Sequence, residues 1–293
     1  MNNIKYLFFA LRPKQWIKNF FIFLPLVFGK KLFAYPVNLK VIAAFFLFSI
    51  TSSVVYLIND IIDVEKDKLH PTKRLRPIAS GKLKVREAWI AAAILGAVPI
   101  ICSFLLDIHF GMVVVAYLAF NLLYSKILKE AVIIDVFCIG GFFLLRIIAG
   151  SIVAKVQMSH WIIFMTVLLA LFLGFNKRRQ ELSILGQQAV RHRHVLTQYN
   201  SYFIDQMVLV ITSSIVVCYM LYTVDSTTIA RFGTSHLMYS IPFVYYGIFR
   251  YLYLIHKLKK EGDPTRILIA DRKMQLNLAL WLIVCIFVAY FGL

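Results

Sequence analysis

The chain is short of acids, of cysteine and of the fingerprints of soluble enzymes. Among 293 residues, 14 Asp and Glu stand against 32 Lys and Arg, giving a formal net charge of +18. Its four cysteines, Cys102, Cys138, Cys218 and Cys285, fall singly inside apolar runs. That spacing excludes a disulfide framework or a zinc cluster and reads as small buried apolar residues. No Walker sequence, dinucleotide glycine fingerprint, zinc-protease helix or nucleophile elbow is present, which removes the common soluble nucleotide-binding and hydrolytic classes. The amino terminus has no short apolar core followed by a small-residue cleavage site, so no removed signal peptide is expected.

Hydrocarbon is what the sequence has in abundance. With 60% apolar residues, 15% aromatic residues and a mean hydropathy of +0.77, the composition describes an all-α polytopic membrane protein, read as one domain over 1–293. A hydrocarbon core of about 30 Å needs runs of around 20 residues. Such runs lie near 17–35, 39–58, 88–106, 109–125, 132–154, 160–176, 207–224, 237–256 and 275–292, so nine spans are expected. With a cytoplasmic amino terminus, 25 of the 32 basic residues fall in inner segments, 8 of them in 59–87. Lys30, Lys31, Lys40, Lys155 and Arg231 fall outside, and Arg146 and Arg250 lie within spans. This positive-inside bias accounts for the charge without nucleic acid and puts the polar segments on the cytoplasmic side.

The few acids are concentrated. NDIIDVEKDKLHPTKRLRPIASG, residues 59–81, closes the second apolar run. On a continuous helix Asn59, Asp60, Asp63 and Asp67 share one face, while Glu65 points away. A row of oxygen side chains suits a hard cation such as Mg²⁺, which takes one or two carboxylates and completes its shell with water and substrate phosphates. Lys73, Arg74 and Arg76 follow in a stretch that His70-Pro71 and Arg76-Pro77 keep from continuing as helix, where they can grip phosphate oxygens. The plainer reading is an acidic helix end before a positive loop; acids at membrane depth favour function. Tyr56 lies one turn before Asn59, on the same face.

Other polar positions carry two readings each. Lys14 and Lys18 flank Trp16 at the first interface, as anchors or as phosphate contacts, and Pro25 marks a kink in the first span. Tyr117, Asn121 and Tyr124 form a stripe on the fourth span, facing protein or a cavity. Asp135 and Arg146 share a face of the fifth span but stand three turns apart, too far to pair. Arg146 must find an anionic substrate or partners on a neighbouring helix, whereas Arg250 can snorkel and is read as structural. After the sixth run, Lys177, Arg178 and Glu181 form a base-rich face with a single acid. Arg191-His192-Arg193-His194 reads as a solvated basic stretch, since its arginines repel a metal ion. In 259–273, Asp263, Asp271 and Arg272 either close over a site or cap helices.

NDxxDxxxD at the end of the second span, joined to HPTKRLRPIASG, resembles the first signature of the UbiA-type intramembrane prenyltransferases, and YSKILK at 124–129 is similar to that family's sequence after the fourth span. The resemblance covers essentially the whole chain. It implies nine helices around a central cavity with cytoplasmic capping loops, in a bacterial inner membrane, and a Mg²⁺-bound diphosphate near the inner surface. Family members that use isoprenyl diphosphates carry a second aspartate-rich sequence after span six; here NKRRQE stands there. With RPKQWIKN at the amino terminus and GDPTRILIADR before the last span, the chain is similar to the polyprenyl-phosphate phosphoribosyltransferase branch. That branch joins 5-phosphoribosyl 1-diphosphate to a polyprenyl (decaprenyl) phosphate, releasing diphosphate, towards arabinose-containing cell-wall polymers.

One metal face and a cation cluster suit a donor with two phosphate groups and a lipid acceptor with a third. Asn59 and Asp63 are therefore expected to coordinate Mg²⁺. Asp60 and Asp67 serve as ligand, as second layer, or as stabilisers of positive charge on the sugar. Lys73 and Arg76 are expected at the donor phosphates, and Lys129, Lys177 and Arg178 at the remaining phosphates. Lys14, Tyr56, Tyr124, Arg146 and Glu181 complete the expected substrate contacts. Two rivals stand beside this reading: an aromatic prenyltransferase of the same fold, and a lipid or solute transporter whose charges would group near the midplane. Homo-oligomer formation is left open.

Overall fold

A computed structural model of the chain describes residues 2–69, 72–185, 194–256 and 270–292. Among the described residues there are helices and no strands. The α-helices are α1 Asn2–Ala10, α2 Leu24–Phe28, α3 Val37–Ile62, α4 Val64–Leu69, α5 Val85–Leu106 and α6 Ile108–Lys126. They continue with α7 Ile134–Ala154, α8 His160–Leu185, α9 Ser201–Val224, α10 Ser226–Phe232, α11 Ile241–His256 and α12 Arg272–Phe291. Seven of these are long and apolar enough to cross a membrane: α3, α5, α6, α7, α8, α9 and α12.

Two of the nine expected spans take another form. Residues 17–35 do not make one helix: a 3₁₀ helix covers Pro13–Phe23 and gives way to the five-residue α2, with Pro25 in its first turn. Proline has no N–H to donate and is best placed where that donor is not needed, so the change of helix type falls beside it. Residues 237–256 divide into a 3₁₀ turn, His236–Ser240, and the 16 residues of α11. The sixth run, in contrast, continues as helix well past 176, so Lys177 to Glu181 lie on α8 itself.

Contacts divide the chain into two units, 1–131 with 145–157 and 132–144 with 158–293, so that α7 contributes its first half to the second unit and its second half to the first. In the first unit α3 packs on α5 and on the 3₁₀ segment, and α5 packs on α6. Lipid tails are as apolar as leucine, so such contacts rest on close packing and interhelical hydrogen bonds more than on hydrophobic transfer. Ser49, Ser52 and Ser53 give α3 a buried hydroxyl stripe. Asn19 donates to Ser49 Oγ at 2.9 Å and Ser52 Oγ at 3.2 Å, and Trp16 Nε1 donates to Ser53 Oγ at 2.9 Å. The backbone comes closest at Gly150, where a Cβ would lie 2.0 Å from the Ile22 carbonyl oxygen. Lys31 Nζ donates to the carbonyls of Ala154 at 3.1 Å and Lys155 at 2.7 Å, closing the carbonyl end of α7.

In the second unit α8 packs on α9 and α11 on α12 around Phe172, Phe175, Ile204, Val208, Tyr251 and Leu254. Tyr219 joins the 3₁₀ turn to α12 by bonding Ser240 Oγ at 2.6 Å and accepting from Trp281 Nε1 at 2.9 Å. Arg250 pairs with Asp271 at 2.9 Å, and Asp271 also accepts from the Met274 N–H that opens α12. Asp271 thus caps a helix, one of the two roles open to it.

Candidate active site

The acidic face of α3 is not continuous. Asp63 leaves the helix with φ −92° and ψ 11°, its N–H still bonded to the Asn59 carbonyl, and α4 starts anew at Val64. The four oxygen-bearing residues fall into two sets, the pairs that helical spacing already brings closest. Asn59 and Asp63 meet the end of α6 and the turn after it: Asn59 Oδ1 accepts from Ser125 Oγ, in the last turn of α6, at 2.8 Å, and Asp63 Oδ1 stands 3.6 Å from Lys129 Nζ. YSKILK is thereby joined to the first signature through its serine and its second lysine. Tyr124 beside them is half-buried.

Asp60 and Asp67 turn to the guanidinium of Arg76. Arg76 NH1 donates to Asp60 Oδ1 at 3.0 Å and to Asp67 Oδ2 at 2.5 Å, and Arg12 NH2 reaches Asp60 Oδ1 at 2.5 Å. Both acids are buried, while each arginine side chain keeps 27% of its surface exposed. Burial pushes the Asp67 carboxyl above its ordinary value, with Arg76 and Lys73 pulling the other way. The pairing arrests the loop: Lys73–Leu75 makes one 3₁₀ turn, Arg76 is extended, and Lys73 and Arg74 remain exposed.

Arg12 is the functional candidate that sequence reasoning passed over. It is the first residue of RPKQWIKN, has a left-handed backbone (φ 52°), and lies over the half-buried Tyr56 ring at 5.2 Å. That conformation costs a non-glycine residue roughly 1–3 kcal/mol, which a charge-assisted bond to a buried carboxylate can offset. The closing residue of the same sequence, Asn19, accepts from Arg146 Nε at 2.7 Å. Arg146 NH2 also donates to Tyr117 Oη at 3.1 Å, and its guanidinium lies 5.5 Å from the Phe48 ring and 5.2 Å from the Tyr117 ring. Of its two expected partners, Arg146 thus has the protein one: an amide oxygen, a phenol and two ring faces. Asn121 is buried with its amide on the Tyr117 carbonyl. Lys14 is exposed and makes no ion pair among the described residues.

The donor set at the end of α3 fits a hard cation. Asn59 and Asp63 present amide and carboxylate oxygens one turn apart, and Asp60 Oδ2 is buried without a hydrogen-bond partner among the described residues. Among the same residues, no group of three or more His, Cys, Asp or Glu gathers into a complete cage. An ion that binds through one or two carboxylates and fills its shell from substrate phosphate does not need one.

The second unit holds a different cluster. Arg178 is wholly buried; its Nε donates to Asp135 Oδ2 at 2.6 Å and its NH1 to Glu181 Oε2 at 2.5 Å. Asp135 Oδ1 accepts from Tyr199 Oη at 2.8 Å, and Tyr199 Oη accepts from the Ile133 N–H at 2.6 Å. Burial pushes the Tyr199 phenol well above its ordinary value, so it donates and stays neutral. Arg179 pairs with Asp205 through Nε at 2.5 Å and NH2 at 3.3 Å. Lys177 is half-buried. Asp263 and residues 191–193 lie outside the described residues.

The matched family model, the UbiA prenyltransferase family, covers residues 22–270. The chain is 32% identical over 277 residues to a decaprenyl-phosphate phosphoribosyltransferase of Mycobacterium tuberculosis, covering 93% of this chain and 90% of that one. It is also 32% identical over 287 residues to the enzyme of the same name from Corynebacterium glutamicum, covering 96% and 86%. Among solved structures, a UbiA homolog from Archaeoglobus fulgidus bound to DMAPP and Mg²⁺ matches with a TM-score of 0.69 at 17% identity, over 96% of this chain and 97% of that one. The broken acidic helix end, its bond to the end of α6 and these likenesses agree: the chain belongs to the UbiA prenyltransferase family.

Proposed function

We propose that the protein is a Mg²⁺-dependent pentosyltransferase of the bacterial inner membrane. It moves the 5-phosphoribosyl group of 5-phosphoribosyl 1-diphosphate onto a polyprenyl phosphate of the decaprenyl type and releases diphosphate. The phosphoribosyl donor is supported by one observation above the others. Where isoprenyl-diphosphate enzymes repeat the acidic sequence, Asn176–Glu181 has one acid, engaged by Arg178, and one cation, Lys177, without an acid partner among the described residues. The donor's separate 5-phosphate and the lipid phosphate call for cations, not for a second acidic face. The likeness to two phosphoribosyltransferases over most of the chain points the same way.

Asn59 and Asp63 would hold the metal ion, with Asp60 or Asp67 as a further ligand or behind it. Magnesium, when bound, supplies charge withdrawal from the leaving diphosphate. Lys73, Arg76 and Lys129 bind and orient phosphate oxygens of the donor, with Tyr56 and Tyr124 beside them, and Lys177 contacts a further phosphate. The bond from ribose C1 to diphosphate breaks with its electron pair leaving on the diphosphate. An oxygen of the lipid phosphate forms the new bond to C1. That oxygen is already an anion at neutral pH, so no general base is required; if they do not serve the metal, Asp60 and Asp67 would favour positive charge on the sugar. The charge bias of the loops supports a cytoplasmic site for this chemistry. The product, a lipid-linked phosphoribose, leads towards arabinose-containing wall polymers.

Purified protein given labelled phosphoribosyl diphosphate, polyprenyl phosphate and Mg²⁺ should form a labelled lipid-linked sugar. Transfer from an isoprenyl diphosphate to a benzoate-type acceptor, with none from the phosphoribosyl donor, would overturn the proposal in favour of an aromatic prenyltransferase.

A further inference from the structure

Lys177, Arg178 and Arg179 stand in succession on α8, so at about 100° per residue they leave the helix in three directions. Their partners differ as sharply. Arg178 lies between two carboxylates, Asp135 and Glu181, with 1% of its side chain exposed. The Asp135 oxygen that it does not use is taken by Tyr199. An incoming phosphate would have to enter a fully buried site and face two acids beside the cation, a repulsion that the guanidinium cannot outweigh while it is bonded to both. Arg179 is turned to Asp205 in a two-pronged pair. Lys177 is half-buried and has no acid partner among the described residues.

We propose that Arg178 is a positioning residue and that Lys177 is the anion-binding cation of this cluster. The Asp135–Arg178–Glu181 set, closed by Tyr199, fastens the turn of α8 that carries Lys177 to the start of α7 and to the segment before α9. Arginine suits the fastening role, because its planar fork reaches two carboxylates at once and it stays charged when buried. Lysine suits the binding role, as a compact charge on a flexible stem. The inference rests on the proposed function only in taking the bound anion to be a phosphate.

The test is equilibrium binding to the detergent-solubilised full chain with Mg²⁺, using inorganic diphosphate and a polyprenyl phosphate as separate probes over a range of salt concentrations. Lys177→Gln should weaken at least one probe by about tenfold, the loss of one charge-assisted contact, and should flatten the fall of its affinity with salt, since screening acts on ionic contacts. A neutral set, Asp135→Asn with Arg178→Gln and Glu181→Gln, keeps hydrogen-bonding groups without burying charge. It should hold both affinities within about twofold with the salt dependence unaltered, since no ionic contact to the probe is removed. Arg178→Lys reads the same point if the neutral set fails to fold: folded protein should keep the wild-type salt dependence. Unchanged binding of both probes by Lys177→Gln overturns the proposal. So does a folded Arg178 variant whose salt dependence flattens as that of Lys177→Gln does. Wild-type protein that binds diphosphate and transfers no phosphoribosyl group would sink the proposed function and leave this inference standing.

Discussion

At the end of α3 two arginines, each with 27% of its side chain exposed, share two buried carboxylates; on α8 one arginine with 1% exposed is shared by two. The first arrangement leaves guanidinium edges that an anion from solvent can reach, and a carboxylate oxygen on Asp60 without a hydrogen-bond partner among the described residues. The second closes on itself. A buried ion pair repays its desolvation only when geometry and additional hydrogen bonds are good, and Tyr199 supplies the additional bond for Asp135. Counting cations along the sequence therefore overstates the second cluster as an anion site, because position and pairing decide how much of each charge is available.

The largest break in that comparison is expected at Asp63, whose carboxylate has the 3.6 Å approach of Lys129 as its one ion pair among the described residues. Asp63→Ala should reduce phosphoribosyl transfer on the order of 100-fold or more, as loss of a metal-holding oxygen does, with little change in thermal midpoint. A variant with wild-type turnover would remove Asp63 from the metal site.

Arg12 comes next. Arg12→Gln removes one of two cations from Asp60 and should lower kcat/KM about tenfold, the equivalent of one hydrogen bond to a charged group. Combined with Asp60→Asn, it should have less effect than the two single changes together would give, because both act through one contact. Additive losses in the assay would mean that Arg12 acts elsewhere.

The two clusters were not equally legible in the sequence. The residue types of 59–76, their helical spacing and the helix-breaking prolines pointed to a charged helix end that holds phosphate and metal, and the family resemblance is carried by the same residues. The break at Asp63 was not legible, since periodicity assumes one continuous helix and Val64 to Leu69 are able to extend it. Arg12 was hidden for another reason: its partner Asp60 is 48 residues away, and an isolated arginine before a proline has no period to detect. Asn19 and Arg146 are 127 residues apart, and only the demand that a buried arginine be satisfied could have suggested that they meet. The first run reads as one helix because hydropathy does not register where Pro25 changes the helix type, and in the eighth it does not register the 3₁₀ turn that precedes α11.

A packing change sharpens the comparison by touching neither cluster. Gly150→Ala puts a methyl group 2.0 Å from the Ile22 carbonyl oxygen, so helix α7 or the 3₁₀ segment must move. Overpacking of this kind costs roughly 1–3 kcal/mol, read as a lower thermal midpoint in detergent. Protein that remains folded should keep the KM for the donor. A raised KM with an unaltered midpoint would mean that the segment from Pro13 to Phe23 takes part in binding.

The smallest effect is expected from pH. Burial raises the Asp67 carboxyl above its ordinary value, so on acidification it is neutralised before an exposed aspartate would be, and Arg76 then loses one of its two carboxylates. Transfer should begin to fall at a pH above the ordinary aspartate value, and Asp67→Asn, neutral throughout, should show a lower but flatter acid limb. Stability runs the other way. A carboxyl whose folded value is raised contributes stability in full below its unfolded value and loses it as pH rises through the folded one. The midpoint of wild-type protein should therefore gain on Asp67→Asn as pH is lowered through that window while its activity advantage shrinks. If activity and midpoint instead decline together, the Asp67–Arg76 contact behaves like the closed cluster on α8, and the distinction between the two fails at that residue.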